Sequence, residues 1–153
     1  MKNTLEIKPL VGFGDLKFGA SKQEVEEYFG KPQEIEMLES DEDSTKTETW
    51  NYWEEGHTVY FEKEEGDVCF NFETDDEQVT LFGKKVFEMD LNEVLALMNE
   101  QGYQDHEIDD EEEGERILSF FDAMIDFVFD ENGLGLISWS AGVDENDKLI
   151  WPE

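Results

Sequence analysis

The stretch Phe18-Gly19-Ala20-Ser21-Lys22-Gln23-Glu24-Val25-Glu26-Glu27-Tyr28-Phe29-Gly30-Lys31-Pro32 predicts a strand end, a capped helix and a hard stop. Ser21 and Glu24 form a Ser-x-x-Glu capping box, which satisfies two backbone N–H groups that the helix leaves open. Val25, Tyr28 and Phe29 fall at i, i+3 and i+4 and so share one helix face. Gly30 suits the left-handed position past a helix end, and Pro32 cannot continue a helix.

Working outward, the chain replays this order. Asp90-Leu91-Asn92-Glu93 is a second capping box, followed by Leu91, Val94, Leu95 and Met98 on one face and by Gly102 as the stop. Ser21, Glu24, Val25 and Phe18 align with Asp90, Glu93, Val94 and Phe87 at one offset. An acidic segment follows each helix, residues 33–49 and 105–115, and both read as loops. Strands are then expected at Thr49–Trp53, His57–Glu62 and Asp67–Glu73 in the first half. In the second half they are expected at Arg116–Phe121, Met124–Asp130 and Leu134–Trp139. Glycines at 56 and 66 and Asn132-Gly133 supply hairpin turns. Residues 5–18 read as an irregular lead-in with a short extended piece at Leu16–Phe18, Gln78–Phe82 as a further strand, and Leu149–Trp151 as a docked apolar tail. The expected fold is α+β, one compact unit over 1–153 with internal repeats at 12–75 and 78–140. Each repeat is a helix plus antiparallel sheet, with the helices covering one face of the sheet.

The charge is extreme. The 153 residues hold 42 Asp+Glu against 11 Lys+Arg, a formal net charge of −31. Such a surface repels nucleic-acid phosphates and anionic membranes, and it attracts basic protein surfaces or divalent cations. High solubility or salt adaptation accounts for the same composition equally well. Hydrophobic residues still make up 38%, which is enough for a core rather than disorder. Cys69 is the only cysteine, so no internal disulfide forms; this suits a reducing, cytoplasmic setting. Met1–Lys8 lacks the apolar region of a signal peptide, and no apolar run is long enough to span a membrane.

The motif Phe18-Gly19-Ala20-Ser21-Lys22-x-x-Val25, followed by Phe29-Gly30-Lys31-Pro32, resembles the repeat of the beta-lactamase inhibitor protein-like fold. That group includes the SmpA/OmlA outer-membrane lipoproteins. Trp50-Asn51-Tyr52-Trp53 stands where the family has an aromatic strand. The resemblance covers Leu16–Phe72 and, more weakly, Val86–Trp139; the second copy has Gly102-Tyr103-Gln104 in place of Gly-x-Pro. It implies tandem units whose joined sheet forms a concave protein-binding face without catalysis. A lipobox cysteine and paired cysteines are both missing, so neither the lipoprotein role nor beta-lactamase inhibition carries over.

Candidates for chemistry are few. His57 is in phase with Val59 and Phe61, at the end of a core-facing row, and His106 lies in an acidic segment. Two histidines so placed, with one cysteine, do not make a metal set. Cys69 stands opposite the Val68-Phe70-Phe72 row without a nucleophile's context. Asp144–Asp147 and Asp109–Glu113 lack the spacing of a calcium loop. No phosphate-cradling glycine motif is present. The reading is therefore a non-enzymatic, cofactor-free interaction module, inhibitor-like or immunity-like. The alternative is a small-ligand or divalent-cation-binding protein.

Contact energy is expected from sheet aromatics, the residue types that dominate interfaces. Alternation puts Trp50 and Tyr52 on one face and Trp53 on the other. It sets Tyr60 against the Val59/Phe61 row and Trp139 against the Leu134/Leu136 row. Asp41, Glu42, Asp43, Asp109, Asp110, Glu111 and Glu112 are expected to steer a basic protein partner.

Overall fold

The computed structural model describes residues 5–39, 46–62, 66–111, 114–146 and 148–152. The lead-in forms three short strands, β1 (Glu6–Lys8), β2 (Gly12–Phe13) and β3 (Leu16–Lys17). Helix α1 (Lys22–Phe29) follows. Strands β4 (Glu34–Glu39), β5 (Lys46–Tyr52), β6 (His57–Glu62) and β7 (Val68–Thr74) then form an antiparallel meander. Strand β8 (Thr80–Leu81) runs parallel to β1. A 3₁₀ turn spans Val86–Glu88. Helix α2 (Leu91–Glu100) precedes a second meander: β9 (His106–Asp110), β10 (Arg116–Phe120), β11 (Ile125–Asp130) and β12 (Gly133–Ser140). The two meanders join through β7 and β12, giving one eight-stranded sheet ordered β4-β5-β6-β7-β12-β11-β10-β9. Strands β13 (Gly142–Val143) and β14 (Leu149–Ile150) close the chain as a hairpin.

Both capping boxes form. The Ser21 hydroxyl accepts the Glu24 N–H at 3.2 Å, and the Glu24 carboxylate accepts the Ser21 N–H at 3.1 Å. Asp90 and Glu93 repeat the exchange at 2.8 and 3.2 Å. Val25 is fully buried, and Val94 and Met98 likewise. The Tyr28 hydroxyl accepts the Asp15 N–H, so its ring lies on the surface while Phe29 turns inward.

The fold class differs from the expectation. The chain is mostly β, with two short helices that do not cover the large sheet as an α layer. Two causes can be named. Residues 34–39 and 106–110, expected as loops, are the outermost strands of the large sheet. The lead-in, expected as irregular before its extended piece at Leu16–Phe18, pairs with β8 into a second sheet ordered β3-β2-β1-β8. The core therefore lies between the eight-stranded sheet and a mixed layer of small sheet and helices.

Phe13 sits at the centre of that core. Its ring centroid lies 4.9 Å from His57, 5.0 Å from Trp139, 5.7 Å from Phe72 and 5.9 Å from Phe29. The preceding residue has to be glycine, because a Cβ on Gly12 would stand 1.9 Å from the Leu16 carbonyl oxygen. Glycine thus allows the tight β2–β3 hairpin that delivers Phe13. At the other end of the chain, Trp151 packs partly buried against the same core, as expected of a docked tail.

Candidate functional site

Register and alternation sort the eight strands into two faces. Val59 and Phe61 of β6 are fully buried, and Thr58, Tyr60 and Glu62 between them are half-buried. Partners across the sheet follow suit: Trp50 opposes Val59, whereas Thr49 opposes Tyr60 and Asn51 opposes Thr58. The buried apolar core draws only on the Val59/Phe61 side of the sheet; on the Thr58/Tyr60 side Thr49 and Asn51 are 4% exposed beneath neighbouring polar side chains, and Thr58 and Tyr60 are half-buried. This open face is the candidate site.

Three of the expected contact rings are not on it. Trp50, Tyr52 and Trp139 are buried at 7%, 1% and 1% exposure. Each also directs its polar atom inward. The Trp50 indole N–H donates to Glu48 at 2.6 Å, and Lys22 pairs with the same carboxylate at 3.1 Å. The Tyr52 hydroxyl donates to the Gly30 carbonyl at 2.9 Å, tying the end of α1 to the sheet. The Trp139 indole N–H donates to the Gly12 carbonyl at 3.0 Å. These residues are core and are corrected as contact candidates. Trp53 is 60% exposed, at the turn after β5.

Tyr60 does stand on the open face. Its hydroxyl donates to Glu73, and burial, then the Glu73 bond and charge, push its ionisation well above the ordinary tyrosine range. Beside it is Phe70, with ring centroids 6.4 Å apart. Alternation from Phe72 would bury Phe70, but the β6–β7 register shifts between Tyr60 and Phe61. Tyr60 opposes Asn71 and Phe61 opposes Cys69, so Phe70 is the extra residue of a β-bulge. The same shift turns Cys69 into the core, fully buried, where loss of solvent pushes its thiol up to about 11. Tyr60, Phe70, Glu73, Asn71, Ser138 and Thr47 line a shallow depression of about 390 Å³. Of these, the sequence reading had singled out Tyr60 alone. The others carry no local signal, because a bulge is a property of two strands in register.

Carboxylates border this depression. The Asn51 side-chain amide donates to Glu34 at 3.2 Å and to Glu36 at 3.0 Å, while the Thr58 hydroxyl donates to Asn51 Oδ1 at 3.1 Å. Glu34, hydrogen-bonded and like-charged, pushes the Glu36 carboxyl above the usual range. On the second meander, Ser138 opposes Asp126, Asp126 opposes Ser119 and Ser119 opposes Glu107. Asp109 lies two residues along the same edge strand. Glu34 and Glu36 thus border one side of the open face, and Glu107 and Asp109 the other. Among the described residues, the outward row on these strands contains no Lys or Arg. Asp110, in contrast, falls in the other row and pairs with Arg116 at 3.0 Å; Glu111 is exposed just beyond β9. Asp41, Glu42, Asp43 and Glu112 lie outside the described residues.

The remaining candidates are accounted for structurally. His57 is buried, with Nδ1 2.8 Å from the Thr74 hydroxyl and Nε2 3.9 Å from Asp76. His106 is exposed, its Nδ1 2.8 Å from the Gln104 carbonyl. Asp144 closes a turn by accepting the Asn146 and Lys148 N–H groups, and these bonds hold its carboxyl below the usual range. Among the described residues no three His, Cys, Asp or Glu side chains are grouped to hold a metal ion. No helix there is long and apolar enough to cross a membrane. Comparison with known proteins finds no matching family model, no similar curated protein and no similar solved structure.

Proposed function

We propose that this protein is a non-catalytic binding module whose open sheet face receives the basic surface of a partner protein. The observation that carries the reading is the makeup of that face. It is an uncovered surface with acidic residues at both borders, a tyrosine and a phenylalanine near its middle, and no cation of its own among the described residues. Acidic borders raise the encounter rate with a basic partner, and a partly desolvated aromatic centre supplies contact energy. The resemblance of residues 18–32 to an inhibitor-type repeat points to protein binding as well. An inhibitor or immunity role in the cytoplasm fits a chain with one buried thiol and a net charge of −31.

The test compares two neutralised variants in affinity capture from native extract. One carries Glu34→Gln, Glu36→Gln, Glu107→Gln and Asp109→Asn; the other carries Glu26→Gln and Glu27→Gln on α1. The open-face variant is expected to lose a basic partner that the α1 variant retains, with a slower on-rate and a flatter salt dependence. Equal capture by wild type and the open-face variant would sink the proposal.

A further inference from the structure

The depression at Tyr60 and Phe70 identifies the kind of side chain this face takes, an inference that rests on the binding reading above. Its walls are the two rings, set 6.4 Å apart with their planes crossed at 72°. Glu73 holds the Tyr60 hydroxyl through Oε1, so the carboxylate is fixed in place with Oε2 left as an acceptor. Asn71 and Ser138 lie at the β7–β12 seam, with side chains 3.4 Å apart. Asp126 sits one strand beyond Ser138. Among the described residues no Lys or Arg lines the depression or pairs with Glu73. Lys22 lies with its Nζ 5.9 Å from the Phe61 ring centroid on the opposite face and pairs with Glu48 and Asp67.

We infer that this depression is an anchor pocket for one arginine side chain of a basic partner. A guanidinium is planar and weakly hydrated, so it stacks on an aromatic face while its N–H groups reach a carboxylate in the same plane. The Tyr60–Phe70 corner offers the ring faces and Glu73 the carboxylate. The arginine stem covers apolar ring surface that water otherwise meets. An anionic or neutral ligand has no complement here, because Glu73 and Asp126 repel the first and gain nothing from the second. Lysine delivers the charge as a compact, strongly hydrated ammonium and forfeits the planar stacking. The bulge in β7 makes the pocket, since without the extra residue Phe70 would not share a face with Tyr60.

The experiment is an NMR titration of the isotopically labelled full chain with hexa-arginine and, separately, hexa-lysine, at about 0.15 M NaCl to suppress diffuse attraction. Saturable shifts are expected to centre on Tyr60, Phe70 and Ser138, with hexa-arginine binding tighter. Phe70→Leu, which keeps apolar bulk without a ring, and Glu73→Gln are each expected to weaken hexa-arginine binding about tenfold. Glu26→Gln/Glu27→Gln is expected to leave it unchanged, and circular dichroism checks that every variant stays folded. Folded Phe70→Leu binding as tightly as wild type overturns the pocket, and equal affinity for the two peptides overturns the choice of arginine. Shifts confined to the borders at Glu34, Glu36, Glu107 and Asp109 overturn the pocket while leaving the open-face reading standing. Shifts scattered evenly over the whole acidic surface overturn both.

Discussion

The two faces of the eight-stranded sheet use the same residue types for opposite ends. On the covered face, Trp50, Tyr52 and Trp139 are sealed in, each indole or hydroxyl bonded to the chain itself. On the open face, Tyr60 and Phe70 stay half-exposed among carboxylates. An aromatic side chain is large, apolar and often polar at its tip, so it serves a core or an interface equally well. What decides is strand parity and which side the remaining chain covers. The lesson is that aromatic richness marks energetic weight and does not by itself mark a binding surface.

The contrast breaks most severely if its covered side is emptied. Phe13→Ala is expected to cost about 3–5 kcal/mol in urea unfolding, the range for removing a buried phenyl ring. A loss below about 1 kcal/mol would mean that the ring cluster around Phe13 is not the centre of the core.

Cys69 tests the covered side through pH. The usual thiol value of 9.0 rises to about 11 on burial, so the folded chain keeps its proton after the unfolded chain has lost it. This contribution is fully present below about pH 9 and is lost as pH rises through about 11, amounting to about 2–3 kcal/mol. The stability difference between wild type and Cys69→Ala is expected to shrink by that amount over the window. A difference independent of pH would contradict a buried, protonated thiol.

A matched pair sharpens the comparison at smaller scale. Trp139→Phe removes the indole donor from the Gly12 carbonyl and leaves a void, and is expected to cost about 2 kcal/mol. Tyr60→Phe removes the corresponding handle on the open face and is expected to cost about 1 kcal/mol or less, since water replaces the lost bond at Glu73. Equal costs would argue that the open face is sealed like the other. Smallest of all is the effect of salt. Screening relieves repulsion among exposed carboxylates, so the melting temperature is expected to rise between low and moderate salt. That rise should shrink in the variant neutralised at Glu34, Glu36, Glu107 and Asp109; a flat salt curve in wild type contradicts the repulsion.

Much of the fold was legible where the signal is local. The capping boxes at Ser21 and Asp90, the strand at His57–Glu62 and the inner strands of both meanders follow from patterns within a few residues. The β11–β12 hairpin forms where Asn132-Gly133 signalled one, but the turn residues are Glu131 and Asn132, and Gly133, with φ of 113°, opens β12 opposite Asp130. The edge strands β4 and β9 were missed, because Glu-Ile-Glu-Met and His-Glu-Ile-Asp-Asp carry the polarity of loops. On an edge strand such polarity is normal, since one side of the backbone stays unpaired and charge keeps other chains away. Of the lead-in strands, β3 falls in the extended piece expected at Leu16–Phe18, whereas β1 and β2 were missed for another reason. Strands of two or three residues have no periodicity, and β1 is held between β2 and β8, the latter far along the chain.

The candidate site was legible only in part. Tyr60 and, among the border carboxylates, Asp109 were singled out, while Glu34, Glu36, Glu107, Phe70 and Glu73 were not. Alternation told correctly that Trp139 opposes Leu136 and that Trp50 sides with Tyr52, but Leu134, placed in the row opposite Trp139, is returned to the core side by the register shift in β11–β12. It could not tell which side would be covered, and the wrong side was chosen for all three rings.

The sequence by itself determined the helix ends, the inner strands, the turns and the charge, because each depends on residues near one another or on composition alone. Only the tertiary structure decided which face stays open, that Phe70 joins Tyr60 there, and that acidic segments become the sheet's borders. Those depend on register between strands and on which distant segment packs over which, and neither is written in any short stretch of the chain.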